Sequence, residues 1–557
     1  MRHRLSLPVR AMFLGALTAA TLLLMSSAAV TLRAQTVTPA IRAEVTSSPS
    51  AIAELVRHGQ QLESRNRWGE ALTHYEEAHR AHPDSAAIND RLQLARIHYD
   101  LGRRYADNSF RKLLVTTREH EALEMYSEIL QKIGDYHVKT PHWGELFGRG
   151  SQNLAVALTK DAFVKRNLPD VSERQRTNFR RELQKFAATQ HPRSRFECRQ
   201  AAQRVARLAQ QRVGLSPGAT ILEFTAGAAG ALDAYSTFLT SNQLKEVYSQ
   251  IEGNFVGLGI ELKAKGGALQ IVHVITGSPA EKSGLKAGEA IVGVDGASTE
   301  KLSTDAAANL LQGKEGTSVL LTLRAADDTL RRVRVQRRRV EVPSVDDVKI
   351  IDREFGIGYA KITSFQKTTS RDLDAALWKL HRQGLRSLVI DLRGNPGGLL
   401  TASVDAVDKF VESGTIVTTR GRSARENLTY TAHRVGTWRV PLVVLIDGDS
   451  ASASEIFAGA IRDHRRGTIL GQRSYGKGSV QGIFSLSRGG TGVRLTTAKF
   501  YSPTGRAYSK VGVTPNITVH QTAKPVLGAE PRADGAKPID AVLEAARQMA
   551  RQQLAKR

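Results

Sequence analysis

The sequence predicts a multidomain α+β protein, in which a helical N-terminal region precedes a β-rich middle and an α/β core. Three observations carry this. Apolar residues recur at helical spacing from Ala51 to about residue 250. From Asn254 to residue 342 short β-branched runs alternate with glycine, as in SPAEKSGLKAGEAIVGVDG at 278–296. From residue 343 to 520 buried strand-like runs alternate with amphipathic stretches, the pattern of an α/β core.

At 557 residues with 41% hydrophobic content, the chain has material for several packed cores. Its 79 basic and 54 acidic residues leave a formal charge of +25. That charge admits a polyanion partner, and a polyanion-binding envelope protein is one reading. No zinc-finger, homeodomain or RNP signature accompanies it, so no specific nucleic-acid partner is expected. The single Cys198 excludes an intrachain disulfide, and its context RFECRQAAQRVARL reads as an amphipathic helix.

Residues 1–34 read as an export signal: Arg2, Arg4 and Arg10, then an apolar stretch from Ala11 to Met25, then Ser27-Ala28-Ala29. The alternative is an uncleaved anchor in the membrane, since Ala11 to Val30 is almost long enough to span. Either reading puts the working domains in the periplasm or cell envelope. Residues 35–50 form a polar linker. Within 51–117, Gly59, Leu62, Trp68, Ala71, Tyr75, Ala78 and Pro83 fit the spacing of a tetratricopeptide repeat, and a degenerate second unit is expected at Ile88 to Tyr105. These helices are read as a surface for an adaptor or for self-assembly. Residues 118–250 continue as helices, with a solvated basic face over 173–213.

The chemistry concentrates between Pro441 and Gln481. The run Leu442 to Ile446 reads as a buried strand, breaking at Asp447-Gly448-Asp449 into a helix over Ser454 to Arg462. A small-residue strand-to-helix turn can present a serine hydroxyl beside backbone N–H groups. Further on, Gly476-Lys477-Gly478 lets backbone come close around an amine. One reading is a serine nucleophile with a lysine base. The other is a Ser/Ala-rich helix cap and an ordinary glycine turn.

SASASE followed by YGKGSVQ closely resembles the carboxy-terminal processing peptidases, also called tail-specific proteases. The resemblance implies a crotonase/ClpP-like α/β peptidase core with Ser452 as nucleophile, Lys477 as general base and Gln481 orienting the lysine. It sets Asp463 where some members are assigned an acidic relay residue; the equal reading of Asp463 is a solvated aspartate at a helix end. The segment DLRGNPGG (391–398) resembles the family's DLRxNxGG loop, which implies an oxyanion hole from the Gly398 and Ala453 amides. The resemblance implies no metal, nucleotide or organic cofactor. Two departures stand out: Asp447-Gly448-Asp449 replaces Asn-x-Gly, and LDAYSTFL (232–239) lacks the proline and histidine of LDPHSSYL.

The middle region, 251–342, looks like a PDZ domain. Gly257, Leu258, Gly259 and Ile260 would hold a peptide's terminal carboxylate on loop amides, and the groove beyond would prefer an apolar last residue. RRVRVQRRRV (331–340) reads as one closing edge strand, and a helical stretch is expected at 304–312. Residues 521–537 form a linker, and Ile539 to Leu554 an amphipathic helix that packs back or pairs with a partner. The expected activity is an exported serine endopeptidase acting on proteins with apolar C-termini. The alternative is a non-catalytic envelope scaffold built from the same modules.

Overall fold

The protein is described by a computed structural model, which covers residues 49–265, 268–299, 310–311, 313–325, 327–520 and 540–556. The leader reading for 1–34, most of the 35–50 linker and the linker at 521–537 lie outside these residues. The helix expected at 304–312 does too, apart from the helical pair Leu310 and Leu311. Among the described residues no helix is long and apolar enough to cross a membrane.

The N-terminal region begins as two helices, Pro49–Ser64 and Trp68–Ala81. They cross at Gly59, where a Cβ would stand 2.1 Å from the Tyr75 ring, so only glycine permits this approach. The second unit expected at Ile88 to Tyr105 is instead one continuous helix, Ala86–Ala106. Nothing interrupts its periodicity, since Gly102 falls in the last turns. Its C-terminal half supplies Leu101 and Tyr105, and the next helix, Asn108–Thr116, supplies Phe110, Leu113 and Leu114, to one large core. That core continues through helices Glu119–Tyr136, Trp143–Ala157, Arg195–Val213 and Pro217–Gly230 into Val493 and Leu495 of a strand far along the chain. Packing therefore runs across residue 117, where the sequence reading sets a boundary. Cys198 is buried in this core and its thiol donates to Trp143 O at 3.2 Å. Burial pushes its pKa up to about 12, which leaves no thiolate for chemistry.

The middle region is a sheet in which Ile260–Lys265, Ala268–Val274, Ala290–Val294, Ser318–Arg324 and Leu330–Gln336 follow one another. Ile260–Lys265 is its edge, paired on one side only. The basic run at 331–340 is not one strand. It breaks at Arg337, whose buried guanidinium donates to Leu311 O (2.7 Å), Ser318 O (3.2 Å) and Thr317 Oγ1 (3.1 Å). Beyond it Arg338–Glu341 pairs with Asn254–Gly257 in a separate two-stranded ribbon.

The C-terminal part is built on a six-stranded sheet ordered Val345–Asp352, Ile357–Ile362, Ser387–Asp391, Leu442–Ile446, Thr468–Gly471 and Ile517–Thr518, parallel from the second strand onward. Its central strands, Ser387–Asp391 and Leu442–Ile446, are buried along their whole length because both faces are covered. Helices Thr369–Arg382, Leu400–Asp408 and Ala453–Asp463 pack on one face. On the other, Val542, Ala546 and Ala550 of the helix Ala541–Ala555 cover Ile357, Tyr359, Val389, Val443, Leu445 and Leu470. The C-terminal helix thus packs back onto its own chain. Its first turn is also tied to the neighbouring loop, because Asp540 accepts two hydrogen bonds from Arg393, at 2.9 and 2.7 Å.

Val542→Asp would set a carboxylate against that apolar face. It is expected to cost about 3 kcal/mol or more in denaturant unfolding. Gln548→Glu, on the exposed side of the same helix, should stay within about 0.5 kcal/mol of the unmodified protein. An unchanged midpoint in Val542→Asp would show that this helix does not dock.

Candidate active site

Two loops leave the C-terminal ends of adjacent parallel strands, where Asp391 pairs in register with Leu445. Open α/β sheets hold their sites in that position. One loop is Leu392 to Leu399, and the other is Asp447 to Ser452, which opens the helix Ala453–Asp463. Asp447 compensates for the missing Asn-x-Gly. Its Oδ1 accepts from Ser450 N (3.0 Å) and Asp449 N (3.1 Å) within the turn, and from Gly394 N (3.0 Å) in the neighbouring loop.

Ser452 sits at φ 57° and ψ −113°, a backbone conformation unusual for any residue but glycine. Such a geometry costs roughly 1–3 kcal/mol and persists only when neighbours impose it. Asn395 is one of these neighbours. Its carbonyl accepts from Ala451 N (3.0 Å) and Ser454 Oγ (3.0 Å), and its side chain bonds Gly397 N (2.8 Å) and Ile362 O (2.8 Å). The glycine loop is thereby pressed against the serine. A Cβ on Gly397 would stand 2.8 Å from Ser452 Cβ, and one on Gly398 would stand 2.1 Å from Phe365 O. The Gly398 and Ala453 N–H groups have no protein acceptor among the described residues.

Lys477 lies on the segment that precedes the strand Ser479–Ser485. Its flanking glycines are required by contact: a Cβ on Gly478 would stand 2.3 Å from Ser509 N, and one on Gly476 3.2 Å from Lys510 backbone. Burial pushes the lysine's pKa below its usual value, and Arg494 adds to the effect, against the weaker pull of Glu455 and Asp233. No hydrogen bond joins Lys477 Nζ to Ser452 Oγ. The amine instead stands over the Tyr235 ring, 4.9 Å from its centroid.

The link between serine and lysine is a residue the sequence reading quoted but did not single out. Glu455 is fully buried, and its carboxylate accepts Ser452 N (2.8 Å), Ser474 Oγ (2.6 Å), Gly476 N (2.7 Å) and Lys477 N (2.8 Å). Burial pushes its pKa up, and these four donors oppose that rise. Its signal was present: a glutamate three residues after a helix-capping serine is the capping-box spacing.

Tyr235 is the second omission. It lies in LDAYSTFL, whose turn is held by Asp233. That carboxylate accepts Tyr235 N (2.8 Å), Ser236 N (2.9 Å) and His137 Nε2 (3.1 Å). Burial works against the charged form, yet these bonds hold its pKa down at about 2.

Neither Gln481 nor Asp463 is hydrogen-bonded to Ser452 or Lys477. The Gln481 amide bonds Thr496 Oγ1 (2.9 Å) and Ser479 Oγ (3.2 Å), not Lys477. Asp463 is at the opposite end of the helix that Ser452 opens, about 16 Å away along the axis. There it pairs with Arg506 (2.7 Å) and Arg462 (3.1 Å) and accepts Thr504 Oγ1 (2.9 Å). Three turns of helix separate it from Ser452.

In the middle region Leu258 is buried in the core, so only its backbone faces the loop. Gly259, at φ 84°, approaches so closely that a Cβ would stand 2.2 Å from Ser278 Cβ. The Leu258 and Gly259 N–H groups have no backbone acceptor among the described residues, and the edge strand begins directly at Ile260.

Comparison with known proteins places these sites in context. Residues 356–519 match the model for peptidase family S41, and residues 270–325 match that for a PDZ domain. The chain is 38% identical over 298 residues to the carboxy-terminal-processing protease of Bartonella bacilliformis, spanning 52% of this chain and 67% of that one. It is 32% identical over 289 residues to a probable CtpA-like serine protease of Staphylococcus aureus, of which it spans 57%. Among solved structures, a photosystem II D1 C-terminal processing protease aligns at 25% identity over 72% of this chain and 92% of that one, with a TM-score of 0.39.

Glu455→Gln is expected to leave at least two buried donors without an acceptor, costing about 1–3 kcal/mol for each in stability. The serine and lysine segments lose their common anchor, so kcat should fall well before the protein unfolds. Normal turnover in a folded Glu455→Gln protein would show that the carboxylate does not align the site.

Proposed function

The chain belongs to peptidase family S41, the carboxy-terminal-processing serine proteases, and from that premise we propose that Ser452 and Lys477 are its nucleophile and base. The observation that carries this is the Glu455 carboxylate, which binds the amides of both residues and fixes one segment against the other. In the proposed cycle Lys477 Nζ leaves the Tyr235 ring and takes the proton of Ser452 Oγ as the oxygen attacks the peptide carbonyl. The oxyanion forms against the Gly398 and Ala453 N–H groups, each worth roughly 10²–10³ in rate. The protonated lysine then gives its proton to the leaving amine, and a water activated by the same amine hydrolyses the acyl-enzyme.

Only the neutral amine can act, and burial lowers the Lys477 pKa from its usual value of about 10.4. The neutral fraction rises as pH climbs through the lowered value. A rising limb in kcat/KM is therefore expected below pH 10, and it should vanish in Lys477→Arg, whose guanidinium stays charged. Ser452→Ala should be inactive and folded. Turnover retained in Lys477→Arg would sink the assignment of the base. The scaffold alternative leaves this arrangement of serine, lysine and unpaired amides without a purpose.

Substrate selection is assigned to the PDZ domain. A protein's C-terminal segment would add to the edge strand Ile260–Lys265, its carboxylate held by the Gly257 to Ile260 loop. Amidating a substrate's terminus leaves those amides without their anion, so kcat/KM should drop relative to the free acid. Equal values would leave the PDZ domain a structural or regulatory insert. The roles of Gln481 in orienting the lysine and of residues 1–34 in export belong to the same proposal. So does the tetratricopeptide reading of the first helices, supported by the Gly59–Tyr75 approach.

A further inference from the structure

The N-terminal helices and the catalytic half enclose a cavity of about 350 Å³. Helices Trp68–Ala81, Ala86–Ala106 and Pro217–Gly230 supply walls, and Arg494 enters from the strand Gly492–Tyr501. Five arginines line it against three carboxylates, those of Glu76, Asp100 and Glu246. Two of the arginines are already paired, Arg96 with Glu76 at 3.1 Å and Arg104 with the fully buried Glu223. The other three are Arg103, Arg149 and Arg494, and among the described residues none has a carboxylate at ion-pair distance. Arg494 Nε donates to Tyr235 O at 2.9 Å, and Arg149 donates to the side-chain oxygens of Gln93 and Gln152. Burial pushes the pKa of Arg149 and of Arg494 down; Arg96 adds to this at Arg149 and Arg103 at Arg494, where Asp100 and Asp233 oppose it. The lining therefore carries more cations than anions, an excess that an anionic ligand relieves.

A groove leads into this cavity. It shares Arg103, Gln243, Glu246 and Gln250 with it, and runs to Gly253, Asn254, Phe255 and Val342 at the ribbon that carries the PDZ domain. At the other end, Arg494 holds the carbonyl of Tyr235, whose ring lies under the Lys477 amine. A chain laid along this groove would run from the ribbon, past the cavity, toward the Tyr235 loop.

We infer that the cavity is a carboxylate subsite for the bound polypeptide, in which Arg103, Arg149 and Arg494 take an acidic group of the segment between the PDZ domain and the scissile bond. The inference rests on the peptidase reading and adds to it a preference for acidic residues upstream of an apolar terminus. Guanidinium is suited to this because its planar fork matches a carboxylate with two parallel hydrogen bonds.

The test uses full-length Ser452→Ala protein, so binding is read without cleavage and independently of the dyad. Fluorescently labelled unstructured peptides carry one glutamate, walked through the last ten residues, or glutamine in its place. Each is made as a free acid and as a C-terminal amide. At the positions that reach the cavity, the glutamate peptide should bind about tenfold more tightly than its glutamine partner, the worth of about one charge-assisted hydrogen bond. That contrast should shrink with added salt and disappear in Arg103→Gln/Arg149→Gln. In Glu246→Gln, which removes a competing negative charge from the wall, it should widen. A contrast that persists in the amidated peptides assigns the subsite to a side chain, and one confined to the free acids assigns it to the chain terminus. Equal affinities at every position, or a contrast that neither arginine nor Glu246 replacement alters, overturns the inference. Loss of hydrolysis in the wild-type protein alongside an intact contrast would instead count against the dyad alone.

Discussion

The site depends on one buried carboxylate. Glu455 has no contact with water, and a charge in that position is unfavourable unless it is fully bonded. It is fully bonded because two chain segments lend it their amides, that of Ser452 from the serine turn and those of Gly476 and Lys477 from the lysine loop. Neither segment has regular structure at that point, so neither could hold its place alone. The carboxylate makes their relative position a matter of hydrogen-bond geometry rather than of loop flexibility. It also reaches the Ser452 backbone itself, which helps to maintain a strained conformation that an unsupported turn would relax.

A second constraint is the absence of side chains. Gly397, Gly398 and Gly478 each approach other backbone to a distance that no Cβ tolerates. The space so gained brings the glycine loop onto the serine turn from one side and the lysine onto it from another. Asn395 and Asp447 then fasten the loop through carbonyl and carboxylate bonds to backbone. The sheet supplies the starting positions, and short polar side chains complete the alignment.

Much of this was legible in the sequence. The strand Leu442–Ile446 stands where the apolar run puts it, because a strand buried on both faces leaves an uninterrupted signature. The helix after the serine follows within one residue at either end. What escaped was set by distant parts of the chain. Arg337 divides a run that reads as one strand, because its guanidinium is drawn inward to carbonyls 19 and 26 residues away. Tyr235 reaches the lysine through pairing of Thr237–Leu239 with Gly492–Tyr501, which no local pattern announces. Asp463, set by the family resemblance at a relay position, lies at the far end of the helix that Ser452 opens.

The ribbon formed by Asn254–Gly257 and Arg338–Glu341 has a topological consequence. The chain leaves the catalytic body at Gly253 and returns at Val342, whose N–H meets the Gly253 carbonyl at 2.9 Å. Everything between is a detour that starts and finishes at one doorway. A module connected in this way adds little closure entropy to the host, because the host's chain ends already touch. Its length and sequence can change without moving any strand of the catalytic sheet. The detour is in that sense an insert hung on the peptidase, joined to it through a single pair of adjoining strands.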